Sequence, residues 1–147
     1  MRMFDWPPVW LAGFGILAWV LTKAMPWPLF GLAGDVVGYA LVALGIILMA
    51  AAAWQMFRAR TTVIPHRDPK ALVTGGVFRL SRNPIYLGDA LVLAGLALIW
   101  DAALAVPLVP IFIFTIQHRF ILGEEARLRA AFGAGFDAYA AQTRRWI

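Results

Sequence analysis

Three groups of side chains in this sequence have types and spacings that could do chemistry. The first is the run FRLSRNPIYLGD, residues 78 to 89, where Arg79 and Arg82 precede an Asn-Pro step and Tyr86 and Asp89 follow it. The second is the doublet Glu124-Glu125, and the third is the basic pair Arg144-Arg145 with Arg119 upstream. Arginine forks grip carboxylates and phosphates. A helix that starts at Asn-Pro leaves unpaired N–H groups and a positive dipole end, which also favour an anion. Carboxylates such as Glu124 and Glu125 favour the opposite charge, an ammonium or sulfonium. Other chemistries are not expected. There is no cysteine to act as nucleophile, disulfide or thiolate ligand. His66 and His118 have no ligand-spaced companions, so no metal site is expected.

The elements that must position these groups are apolar helices. The chain has 147 residues, 62% of them hydrophobic, and a mean hydropathy of +0.75, values that exclude an ordinary soluble domain. A membrane helix needs about 20 mostly apolar residues. Four stretches meet or approach that length: Val9 to Met25, Leu32 to Phe57, Pro84 to Trp100 and Ala102 to Leu122. The expected fold is therefore all-α and integral to a membrane, with about four transmembrane helices and short C-terminal amphipathic helices. The first apolar segment follows one basic residue and ends in AMPWP, which reads as a retained helix.

The net charge of +5 and pI near 10.5 do not point to nucleic acid, because the charge is placed by topology. Arg58, Arg60, Arg67, Lys70, Arg79 and Arg82 crowd the connection between the second and third helices. Arg119, Arg127, Arg129, Arg144 and Arg145 crowd the C-terminal part. The opposite turns carry only Lys23 with Asp35, and Asp101. Basic loops stay cytosolic, so both termini and the middle loop are expected there, facing anionic headgroups.

One domain, residues 1–147, is expected, with an N-terminal helix hairpin (1–57) and a core (58–147) that holds the chemistry. Trp6, Trp10 and Trp27 suit the membrane interface, and Gly34 and Gly38 make a small-xxx-small step for close helix packing. The loop from Arg58 to Arg82 is long and polar, with Pro65, Pro69, Gly75 and Gly76, which marks it as part of a site. Asn83 is read as an N-cap and Pro84 as the first helical residue. Tyr86 and Asp89, three apart, share one helical face. Pro107 and Pro110 are expected to kink the fourth helix. Leu128, Phe132, Phe136 and Tyr139 form an apolar docking stripe, divided by Gly133 and Gly135 into two short helices. The third and fourth helices form a hairpin, so RNPIY and Glu124-Glu125 should converge on one membrane face. A ligand with an ammonium, a carboxylate and a flat ring would use every group gathered there, and S-adenosylmethionine is such a ligand.

The motifs also carry a resemblance. LVTGGVFRLSRNPIYLG, residues 72 to 88, resembles the cofactor signature of the isoprenylcysteine carboxyl methyltransferase and phospholipid methyltransferase superfamily. That signature runs threonine-x-glycine-x-aromatic, then arginine, histidine or asparagine, proline, any residue and tyrosine. GEEARLRAAFGAGFDAYAAQTRRWI is similar to the second signature, paired glutamates followed by leucine, Phe-Gly, a tyrosine and a basic stretch. The resemblance implies that Lys70, Ala71, Leu72 and Val73 line an adenosyl group, with Phe78 beside it. It implies that Asn83, Pro84, Ile85 and Tyr86 form a second contact run, and that Glu124 and Glu125 include a cofactor-binding carboxylate. Arg82, Arg119 and Glu125 become the candidate catalytic residues. Asn83 departs from the commoner histidine, Phe120 stands where some relatives have a substrate arginine, and Phe136 stands where tyrosine is frequent.

The resemblance implies a membrane enzyme that moves a methyl group from S-adenosylmethionine, releasing S-adenosylhomocysteine, to a lipid or other apolar acceptor at the cytosolic face. The acceptor classes are a prenyl-cysteine carboxylate, a lipid amine and an apolar thiol. Two other readings stand beside it. One is an NADPH-dependent reductase of the sterol-reductase type, since YLGD at 86 to 89 and His118-Arg119 suit that fold too. The other is a non-catalytic four-helix membrane protein.

Overall fold

A computed structural model describes residues 6–61 and 69–147, and among them it contains helices and turns and no strand. The order is α1 (Pro7–Ala24), α2 (Gly31–Arg58), a 3-10 turn (Gly76–Arg79), α3 (Pro84–Ile99), α4 (Leu108–Ile116), a π turn (Gln117–Ile121), α5 (Leu122–Phe132) and α6 (Ala134–Gln142). Pro65, His66 and Arg67 lie outside the described residues.

The α2–α3 hairpin is built on small residues. A Cβ on Gly38 would lie 2.7 Å from the Gly95 carbonyl oxygen, and one on Gly45 would lie 2.6 Å from that of Gly88. Residue numbers rise on one helix as they fall on the other, so the pair is antiparallel. Gly38, Gly45 and the fully buried Ala52 recur every seven residues on α2, as Gly88 and Gly95 do on α3. A period of seven keeps one edge of a helix against its partner. The absence of side chains lets backbones meet where lipid tails give no hydrophobic drive for association. Gly34, expected to share the contact, faces the Leu98 carbonyl at 3.3 Å for a built Cβ, so the GxxxG step is one part of a longer seam.

The rest of the bundle closes with larger side chains. Tyr86, Ala90 and Leu93 of α3 pack on Phe112, Ile116, Phe120 and Ile121, with Phe14 of α1 meeting Phe112 edge to face at 5.3 Å. Outward, α1 and α2 expose Ile16, Trp19, Leu32, Val36, Ile47 and Trp54, a surface suited to lipid and not to water. Three helical segments are long and apolar enough to cross a membrane: Pro7–Ala24, Gly31–Arg58 and Ala103–Phe132. Helix α3 is a shorter apolar helix of 16 residues, about 24 Å at 1.5 Å per residue.

One local expectation is corrected. Pro107 and Pro110 do not kink a helix interior, because α4 starts at Leu108 and both prolines fall at its first turn, where a missing N–H costs nothing. The α4, π-turn and α5 segments follow one another without a break, carrying the rod from Leu108 to Phe132. The break comes at Gly133, whose φ of +49° divides α5 from α6 as expected.

The far end of the bundle is tied by Asp101. Its Oδ1 accepts the N–H groups of Leu29 (2.8 Å) and Phe30 (2.7 Å), and Oδ2 that of Gly31 (3.4 Å). These donors hold its carboxyl below the usual carboxylate range. One side chain thus fastens the α1–α2 turn to the end of α3.

Candidate active site

At the other end, where α1 and α3 begin and α2 finishes, a cavity of about 410 Å³ opens. Its walls come from α1, α2, the connector, α3, α5 and α6. Ala71, Leu72 and Val73 line it from the connector, Phe78 from the 3-10 turn, and Asn83, Pro84, Ile85 and Tyr86 from the first turn of α3. Asp89 lines it one turn further along α3, and Met49 and Ala53 of α2 and the Trp6-Pro7-Pro8 start of α1 contribute as well. Glu124, Arg127 and Leu128 of α5 and Tyr139 of α6 complete the lining. The structure therefore brings together nine of the expected cofactor residues and Arg82. Lys70, Glu125 and Arg119 do not line the cavity.

Each absent group has a different place. Lys70 belongs to a turn whose backbone is anchored by Thr61, with Oγ1 accepting the N–H groups of Lys70 (3.2 Å) and Ala71 (3.3 Å). Arg119 lies over the Trp10 ring at 5.1 Å, on the flank of the π turn. Glu125 is buried and serves as a clamp: Oε1 and Oε2 accept Arg145 at 3.0 and 2.8 Å, and Arg82 Nη2 stands 3.2 Å from Oε1. These bonds hold the Arg145 guanidinium above its usual pKa.

The doublet is thus divided in function by helical geometry. Successive residues point about 100° apart at 3.6 residues per turn, so Glu124 faces the cavity and Glu125 the tail. The π turn sets which is which, because one added residue rotates everything after it by about the same angle. Across the cavity the Tyr86 hydroxyl donates to Glu124 Oε1 at 2.7 Å, joining residues 38 apart in sequence.

The Arg-Asn-Pro step does more than start a helix. Pro84 takes the first helical position, but the Asn83 side chain makes no cap. Instead its Nδ2 donates to the Arg145 carbonyl at 3.0 Å, and Ser81 Oγ donates to the same oxygen at 3.1 Å. The Arg82 N–H donates to the Arg144 carbonyl at 3.0 Å. Trp146 Nε1 donates to Gln117 Oε1 at 2.9 Å. The tail is therefore strapped across the outside of the site. Tyr139 Oη donates to the Phe78 carbonyl at 2.6 Å, and burial pushes its phenol up to about 12.

Some polar atoms are left over. Arg82 Nε and Arg127 Nη2 are buried with no hydrogen-bond partner among the described residues. Buried donors without partners are rare and call for an explanation. Two cavity arginines with spare donors, one carboxylate pair of Glu124 and Asp89, and apolar walls at Leu72, Val73 and Phe78 fit a ligand that is anionic at one point, cationic at another and flat elsewhere. Arg127 was absent from the expected site residues. Its signal was its place three residues after Glu124, on the same helical face.

A family model described as phospholipid methyltransferase matches residues 34–135. A solved structure of the eukaryotic intramembrane Ras methyltransferase, isoprenylcysteine carboxyl methyltransferase, superposes with a TM-score of 0.73 at 20% identity. The match covers 100% of this chain and 53% of that one, so the chain spans about half its length. At this identity the likeness is one of fold. No curated protein matches.

Proposed function

The chain belongs to the phospholipid methyltransferase family, and from that premise we propose that it methylates a lipophilic acceptor at this cavity, using S-adenosylmethionine. The observation that carries the reading is the Tyr86–Glu124 contact, which joins the two signature motifs across one cavity. When bound, the cofactor supplies a methyl group made electrophilic by a sulfonium. The residues here do the rest. Arg127 and Arg82 turn spare guanidinium N–H groups toward a carboxylate, and Glu124, oriented by Tyr86, holds the opposite charge. Leu72, Val73 and Phe78 wall a flat ring and exclude water. Glu125 and Arg145 act as positioning residues by fixing Arg82. Arg119, beside Trp10 on the rim, is suited to an acidic headgroup. Aligning two reactants in this way is worth about 7–11 kcal/mol of barrier, and neither a metal nor a covalent enzyme intermediate is required.

Four membrane-spanning helices, with α3 as the short one, accompany this reading, and the basic cavity end lies on the cytosolic side. The 58–147 core supplies most of the walls, and the N-terminal hairpin adds Met49, Ala53, Met56 and Trp6. The test is calorimetric titration of the purified protein with S-adenosylmethionine and with NADPH. Binding of the first and not the second is expected. Glu124→Gln should weaken it about 10- to 100-fold, since a hydrogen bond to a charged group is worth about 1.5–3 kcal/mol. NADPH binding alone would overturn the proposal in favour of a reductase.

A further inference from the structure

A second hollow, of about 410 Å³, shares Tyr139 with the cavity but differs from it in character. Polar side chains dominate its lining: Thr74 of the connector, Arg79 of the 3-10 turn, Gln142 at the end of α6 and Thr143 just beyond. Among the described residues no carboxylate lines it. We infer that this hollow holds a phosphate group at the membrane surface, gripped by Arg79 and Thr143. The site is separate from methyl transfer and does not depend on it.

Thr143 is 7% exposed, yet its hydroxyl makes no hydrogen bond among the described residues. Its N–H is already given to the Tyr139 carbonyl at 3.0 Å. A buried polar group without a partner calls for an explanation. Arg79 likewise makes no hydrogen bond or ion pair among those residues. The nearby acids are taken, Asp137 by Arg129 at 2.8 Å and Glu125 by Arg82 and Arg145. The charge of Arg79 is therefore left without a counter-ion. A guanidinium fork matches phosphate oxygens in pairs, and threonine hydroxyls and a glutamine amide can donate to the rest.

The place of the hollow favours a phosphate that belongs to the bilayer. Arg79 closes the turn that leads into Pro84 and α3. Its neighbour Leu80 is 67% exposed, as suits a side chain resting against acyl chains. Basic residues at a cytosolic membrane surface meet anionic headgroups. A phosphate held by Arg79 and Thr143 also ties the 3-10 turn to the end of α6. It reinforces the bond from Tyr139 Oη to the Phe78 carbonyl, 2.6 Å long, that already joins those elements. A ligand that binds only the folded chain stabilises it, so occupancy should raise the unfolding midpoint.

The test uses the whole chain in a maltoside detergent, which carries no phosphate. Dihexanoyl phosphatidic acid, inorganic phosphate and dihexanoylglycerol are titrated calorimetrically, and thermal midpoints are recorded with each. The native chain should bind the phosphatidic acid, gain thermal stability from it, and ignore dihexanoylglycerol. Arg79→Gln should weaken that binding about tenfold or more, as loss of a hydrogen bond to a charged group implies. Arg79 does not line the cavity, so a lipid bound there instead would not respond. Thr143→Val, which keeps the shape and removes the hydroxyl, should weaken binding by a smaller factor, with its midpoint in the absence of ligand reporting that it is folded. Arg144→Gln removes the same charge from an exposed residue outside the hollow and should change binding by no more than about twofold, because exposed charges contribute little. Tighter binding of phosphatidic acid than of inorganic phosphate assigns the bilayer as the source, and equal affinities assign a soluble phosphate; both support the site. Binding no tighter than that of dihexanoylglycerol, or equal losses in Arg79→Gln and Arg144→Gln, overturns the inference.

Discussion

The two ends of this bundle face the same problem, how to tie helix ends together at a membrane surface, and they meet it in opposite ways. At the far end one carboxylate, Asp101, accepts three backbone N–H groups, and no buried polar side-chain atom there lacks a partner among the described residues. At the cavity end two arginines keep buried donors without partners among the described residues, and Asp89 is buried with no hydrogen bond among those residues. A structural tie spends its polar groups on itself. An end that retains surplus groups of both signs around 410 Å³ of space is arranged for something else to complete it.

That contrast can be broken experimentally, and the largest effect is expected at the clamp. Glu125→Ala leaves Arg82 and Arg145 facing each other around an emptied, mostly buried position. Removing one partner of such a pair costs about 3–5 kcal/mol. Denaturant unfolding should register this loss, and proteolysis should find the segment after Gln142 newly accessible. A stable variant with a protected tail would mean that the strap is ornamental.

A smaller loss is expected on the glycine seam that joins the ends. Gly95→Ala puts a methyl 2.6 Å from the Gly38 carbonyl, and overpacking of this kind costs about 1–3 kcal/mol. Thermal unfolding should show it, with S-adenosylmethionine affinity changed less than by Glu124→Gln. The smallest effect belongs to Asp101→Ala. Because the folded-state pKa of Asp101 is lowered, its contribution is present above the ordinary carboxylate pKa and fades as pH falls through the lowered value. Unfolding midpoints of native and variant should therefore differ at pH 7 and converge toward pH 2, with ligand affinity unchanged. A loss of ligand affinity in Asp101→Ala would erase the distinction between the two ends.

Much of this arrangement could be read from the chain because its signals are local. Pro84 begins α3, Gly133 ends α5, and the hairpin of α3 and α4 forces residues 84–86 toward residue 124. What escaped depends on partners remote in sequence. The seven-residue glycine period has meaning only once α2 and α3 are known to face each other. Glu124 and Glu125 are the same residue type in adjacent positions, and only the π turn and the carbonyls and guanidinium of the tail assign one to the cavity and the other to the clamp. Asn83 fits an N-cap by type, yet the Arg145 carbonyl, which also accepts from Ser81, claims its side chain. Pro107 and Pro110 misled because the start of α4 lies several residues later than the apolar run begins.

The glycine seam has one more consequence. Where backbone rests on backbone there are no rotamers to rearrange, so α2 and α3 cannot slide or part in small steps. They form a fixed jaw. Entry and exit of anything as large as a nucleoside must then be a matter for the opposing pieces, the start of α1 and the α5–α6 elbow at Gly133, and hinge motion should be sought there.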